Sequence, residues 1–125
     1  MLLAAATGRG PASDRALFVL GDPSREFASD PYVVLEVLPK AVYFGRRIEE
    51  RFYRDYFDAV RHWVAELNLL LPRASEVAQR FGLSAMDSLH VAAAALLGCD
   101  EIITTERRSK PMARNTLIRV VSFLE

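Results

Sequence analysis

Three carboxylates sit in settings that strain the reading of an ordinary surface acid, and together they have the chemistry of a divalent-cation site. Glu36 is the only charge between Asp30 and Lys40, flanked by Val34, Leu35, Val37 and Leu38. Asp87 stands at the start of the apolar stretch Ser88-Leu-His-Val-Ala-Ala-Ala-Ala-Leu-Leu97, and Glu106 directly follows the β-branched run Ile102-Ile103-Thr104-Thr105. An isolated carboxylate among apolar neighbours is costly unless it is paired, protonated or bound to a cation. Carboxylates converging from separate elements suit Mg²⁺ or Mn²⁺, hard ions that prefer oxygen ligands and keep some of their waters. Such an ion can polarise a phosphoryl oxygen, help generate hydroxide from a bound water and, with a second ion, stabilise the leaving oxygen of an in-line displacement.

Each acid also has a plainer reading. Ser84-x-x-Asp87 has the form of a capping pair at a helix start, and Glu106 can be a turn acid before Arg107 and Arg108. Arg107, Arg108, Lys110 and Arg114 either hold phosphates without reading base sequence or form a solvated loop. His62 and His90 have no second His or Cys at ligand spacing, so packing or exposure is their ordinary fate, ahead of a role as catalytic base.

The elements that must position these acids alternate between helix and strand. Ser13 to Leu20 reads as a short helix ending against Gly21-Asp22-Pro23, and Glu26 to Ser29 as a short strand. Asp30-Pro31 is a helix-start pair, with Asp30 as N-cap, and it carries Glu36 into the helix behind it. From Phe44 to Val64 apolar residues recur at helical spacing, with Phe52, Tyr56, Phe57 and Trp63 in an aromatic stripe. That stripe suits core packing or a homodimer interface better than base stacking. A short strand over Trp63 to Leu67 and a helix over Pro72 to Phe81, closed by Gly82, come next. The Asp87 helix follows and stops at Gly98; its alanines allow close packing on a sheet. Glu101 to Thr105 and Leu117 to Phe123 suit buried parallel strands. This order implies an α/β sandwich with a mostly parallel sheet, whose functional crevice lies at the carboxyl ends of the strands.

Composition narrows the class. At 125 residues with 51% hydrophobic content the chain fits one domain with a sizeable core. Sixteen Lys and Arg balance sixteen Asp and Glu, so any attraction to nucleic acid must be local. The lone Cys99 cannot form an internal disulfide and suits a buried position or a reducing compartment. No signal-like segment or bilayer-length apolar run occurs, so the expectation is a soluble, cytoplasmic protein with no membrane partner.

From Gly82-Leu-Ser-Ala-Met-Asp87 through Ile102-Ile-Thr-Thr-Glu106, the chain resembles the PIN-domain nucleases, which include the toxins of toxin–antitoxin pairs. The resemblance covers essentially the whole chain as a single domain, residues 1–125. It implies a three-layer α/β/α sandwich and metal-dependent endonucleolytic hydrolysis of RNA, with Glu36, Asp87 and Glu106 as ligands of Mg²⁺ or Mn²⁺. Thr104 and Thr105 would orient Glu106 or a water, and Arg107, Arg108 and Lys110 would approach the RNA. An antitoxin protein and a second copy of the chain are the implied protein partners; a noncatalytic RNA- or protein-binding scaffold on the same fold is the alternative. The chain departs from the pattern at Leu2-Leu-Ala-Ala-Ala-Thr-Gly8, which is similar to the stretch after the first strand and its Asp. That strand is central in the family's sheet. Two explanations compete, a first strand encoded upstream of Met1, which is favoured, and a degenerate relative that lacks it. With either, the chain as it stands is expected to expose backbone and apolar surface in the middle of the fold, bind metal weakly and cleave poorly.

Overall fold

The computed structural model describes residues 10–104 and 111–122. Helix α1 spans Gly10–Leu20, β1 Ala28–Ser29, α2 Pro31–Tyr43 and α3 Arg47–Ala59. Strand β2 covers His62–Trp63, α4 Leu67–Phe81, α5 Ala85–Leu96 and β3 Glu101–Thr104. A 3₁₀ turn at Pro111–Arg114 precedes β4, Arg119–Ser122. The fold is mixed α/β with short parallel strands.

The strands form two separate parallel pairs rather than one continuous sheet. Ala28 lies opposite His62 and Ser29 opposite Trp63; β3 and β4 pair from Glu101 opposite Arg119 to Thr104 opposite Ser122. Helix α5 touches both β1 and β3. Arg25 Nη1 also donates to Glu101 Oε1 at 2.8 Å, tying the approach to β1 to the first residue of β3. The single sheet expected from the alternation of elements is thus represented by two pairs that share one helix.

The core centres on α4 against α5. Leu70, Ala74 and Val77 of α4 meet Leu89, Val91 and Ala92 of α5, with Met112 and Ile118 closing one side. The alanines permit this close approach, and most of their packing is against α4, with the sheet contributing less. Cys99 is half-buried against the same core, and burial followed by the charge of Asp100 pushes its thiol upward in pKa. Asn115 sets the entry to β4: its Nδ2 donates to the Met112 carbonyl at 2.8 Å, and its Oδ1 accepts from the Leu117 and Ile118 amides.

A second cluster joins α2 to α3. Tyr53 is 1% exposed and packs with Ala41, while Phe52, Tyr56 and Phe57 fill in around them. Phe52, Tyr56 and Phe57 of the aromatic stripe are therefore intramolecular packing, while Trp63 is exposed. Burial lifts the Tyr56 phenol to about 12.

Several boundaries differ from the sequence expectations for local physical reasons. The periodic run from Phe44 to Val64 contains a turn: Gly45 adopts φ +64°, a left-handed conformation that ends α2 before α3 begins. Helix α4 starts at Leu67, five residues before Pro72, because Leu70 in its first turn is completely buried and tertiary packing outweighs the proline's missing N–H. That start converts the end of the expected strand Trp63–Leu67 into helix. At the other end of α4, Gly82 caps with φ +65°, and a Cβ there would come within 3.1 Å of Arg114 Nη1. Arg114 itself reaches the Phe81 carbonyl, at the end of α4, at 3.5 Å.

Candidate functional site

Asp30 follows β1 at its carboxyl end, which places the start of α2 there. Its backbone is extended at φ −134° and ψ 162°, as an N-cap requires. Oδ1 accepts from the Tyr32 and Val33 amides at 2.8 and 3.2 Å, while the residue is 2% exposed. Pro31 at the first helical position has no N–H to satisfy, so the pair Asp30-Pro31 specifies this helix start.

Helix α5 starts in the same manner. Ser84 Oγ accepts from the Asp87 amide at 3.2 Å, and the buried Ser88 hydroxyl donates to the Ser84 carbonyl at 2.7 Å. The capping reading of Ser84-x-x-Asp87 is realised as the backbone half of the pair. Asp87 lies half-buried in the first turn, where the helix dipole favours an anion.

The two helices meet at His90. Its Nδ1 faces Asp30 Oδ2 at 3.2 Å and its Nε2 faces Glu36 Oε2 at 3.2 Å. The imidazole is 20% exposed, Asp30 3% and Glu36 52%. Burial alone would lower the His90 pKa, but the hydrogen bond and charge of Asp30, followed by those of Glu36, outweigh it and hold the group above its usual 6.5. A neutral imidazole offers one N–H and one lone pair, whereas the imidazolium donates to both carboxylates at once. The two acids thus favour the protonated ring.

Among the residues singled out in the sequence, Glu36 and Asp87 are carried on the facing helices α2 and α5. His90, one helical turn past Asp87 on α5, contacts Glu36 and Asp30 of the α2 side. Glu36 is exposed rather than buried in apolar surroundings, as its neighbour Leu35 is also 66% exposed, and its partner is the imidazole. Thr104 ends β3, half-buried. Thr105, Glu106, Arg107, Arg108 and Lys110 lie outside the described residues. Asp30, read from sequence as a cap alone, is the buried acid of the cluster. Its link to His90 spans 60 positions, beyond any local pattern. His62 is exposed and meets Glu26 at 2.7 Å, away from this cluster.

The donor chemistry of Glu36 and Asp87 is of the kind Mg²⁺ or Mn²⁺ selects. In number it falls short: among the described residues no group of three or more His, Cys, Asp or Glu side chains is placed to hold a metal ion. Among the same residues no helix is long and apolar enough to cross a membrane. Comparison with protein-family models, with curated proteins and with solved structures gives no match.

Proposed function

We propose that the chain is a PIN-type, metal-dependent endoribonuclease of the cytoplasm that hydrolyses RNA phosphodiester bonds, with Glu36, Asp87 and Glu106 as its metal-binding acids. The observation that supports this reading is the contact of α2, which carries Glu36, with α5, which carries Asp87, made through His90. Topology adds to it. Helix α5 runs back against β3 through a short turn, so the first turn of α5, bearing Asp87, lies towards the carboxyl end of β3, where the chain leads on to Glu106. Crevices at the carboxyl ends of parallel strands are the usual sites of α/β folds. A further parallel strand between β1 and β3 would join the two pairs into one sheet, the three-layer sandwich that the order of elements implies.

In this reading Glu36, Asp87 and Glu106 would hold Mg²⁺ or Mn²⁺, which supplies phosphoryl polarisation and an acidified water. Asp30 fixes the His90 ring, and His90 fixes the Glu36 carboxylate. Thr104 and Thr105 orient Glu106 or a water, while Arg107, Arg108 and Lys110 hold RNA phosphates. An antitoxin segment filling the acidic groove is the proposed protein partner.

A second reading has its own observation. Because Glu36 already has the His90 imidazole as its partner, a noncatalytic scaffold that binds RNA or protein needs no metal at this place. The two are separated by incubating a structured RNA with the protein and Mn²⁺, with and without chelator, beside Asp87→Asn. The nuclease reading requires chelator-sensitive cleavage that Asp87→Asn loses; binding without cleavage supports the scaffold.

A further inference from the structure

Where α4 packs on α5, the two helices and Leu117 leave a groove of about 290 Å³. Val77 of α4 and Ala92 of α5, 4% and 2% exposed, form its floor. Ala95, Leu96 and Leu117 form its walls, and the two leucines are 39% and 45% exposed. None of these five side chains carries a polar atom. Ordered water needs two to four polar partners to be held, and no side chain on the floor or walls supplies one, so the interior suits an apolar guest.

The rim has the opposite character. Arg73, Glu76 and Arg80 stand along one side of α4, since at 100° per residue their positions fall within about 60° of one another. Arg73 Nη1 lies 3.9 Å from Glu76 Oε2, a loose pair between side chains that are 64% and 70% exposed. The Arg80 guanidinium lies over the Phe81 ring, 4.9 Å from its centroid, and makes no ion pair among the described residues. Two cations and one anion leave the rim with a single net positive charge, the complement of a monoanion. Guanidinium groups are suited to a carboxylate, which they bind through paired N–H donors. Size limits the rest of the guest: at ~30 Å³ for each water-sized portion, 290 Å³ takes roughly ten heavy atoms, the size of octanoate.

We propose that the groove between α4 and α5 binds a small amphiphilic monocarboxylate. Its alkyl chain lies on Val77, Ala92, Ala95, Leu96 and Leu117, and its carboxylate meets the guanidinium groups of Arg73 and Arg80 at the rim. The groove lies across α5 from the acidic cluster: positions 92, 95 and 96 are each at least about 120° round the helix from His90. The site is therefore independent of the nuclease reading.

Titration of the full chain with octanoate, followed by calorimetry and by amide NMR shifts, tests it. A ligand of this size is expected to bind with a dissociation constant of about 10 μM to 1 mM, moving the amides of α4, α5 and Leu117 first. Octanol, with the chain but no charge, and acetate, with the charge but no chain, should each bind at least about 10-fold more weakly. Ala95→Leu fills the groove and should weaken octanoate by at least about 10-fold through steric exclusion. Arg73→Gln/Arg80→Gln should bring octanoate and octanol to similar affinity. Glu76→Gln removes the one anion at the rim and should tighten octanoate by about 2- to 5-fold. All four positions are exposed, and far-UV circular dichroism checks that the variants fold. No saturable binding of octanoate up to about 10 mM, ten times the weakest expected dissociation constant, would overturn the proposal. So would octanol binding as tightly as octanoate, or a folded Ala95→Leu that binds octanoate like wild type.

Discussion

Replacing His90 by Ala isolates the contact on which the candidate site is built. In the folded protein it leaves Asp30 Oδ2 without its partner at 3% side-chain exposure, while Oδ1 continues to cap α2. A hydrogen bond to a charged group contributes ~1.5–3 kcal/mol. The Glu36 contact, at 52% exposure, is screened by water and adds no more than ~1 kcal/mol. The expected loss is therefore about 2–4 kcal/mol, which for a domain of this size lowers the melting temperature by roughly 8–15 °C. Thermal and urea unfolding followed by circular dichroism measures it. Glu36→Gln should cost less than ~1 kcal/mol. Asp30→Asn, which keeps an oxygen for the cap, should fall between the two. If Glu36→Gln costs as much as His90→Ala, or His90→Ala changes stability by less than about 0.5 kcal/mol, the assignment of a buried Asp30–His90 contact at the centre of the site is wrong.

Three other outcomes follow from the same structure. The folded pKa of His90 lies above its unfolded value of 6.5, so its stabilisation is fully present below about pH 6.5 and is lost as pH rises through the raised folded value. The unfolding free energy should fall over that window in wild type, and the fall should be absent from His90→Ala. Gly82→Ala should cost about 1–2 kcal/mol, because a side chain at φ +65° is strained and meets Arg114; urea midpoints measure the change. Leu70→Ala should cost about 2–5 kcal/mol by leaving a cavity where the side chain is fully buried, with amide exchange increased first in the opening turn of α4.

The parts of the fold that were legible in the sequence are those written in local chemistry. Asp30-Pro31, Ser84 and Gly82 each announce a helix end through a side-chain acceptor, an absent N–H or a permitted left-handed backbone, and each is found in that role. Hydrophobic period alone was less informative. The apolar spacing continues from α2 into α3, so only Gly45 marked the break; Pro72 suggested a start that Leu70 overrides from the core. The division of the strands into two pairs depends on long-range pairing that no local pattern encodes. In the site, the apolar neighbours of Glu36 suggested a buried acid that the fold leaves exposed, and the Asp30–His90 contact joins residues with no shared motif. Asp30 had a sufficient local explanation as a cap, and that concealed its second oxygen.

The proposal that the acids of α2 and α5 serve a divalent ion in RNA cleavage is tested by an RNA cleavage time course with Mn²⁺. A nuclease should cleave a structured RNA slowly, at a rate that rises with Mn²⁺, stops with chelator and drops by at least about 10-fold in Asp87→Asn, the lower range for disturbing even an outer partner of a metal ligand. Absence of cleavage at every Mn²⁺ concentration, or equal cleavage by wild type and a folded Asp87→Asn, would contradict it.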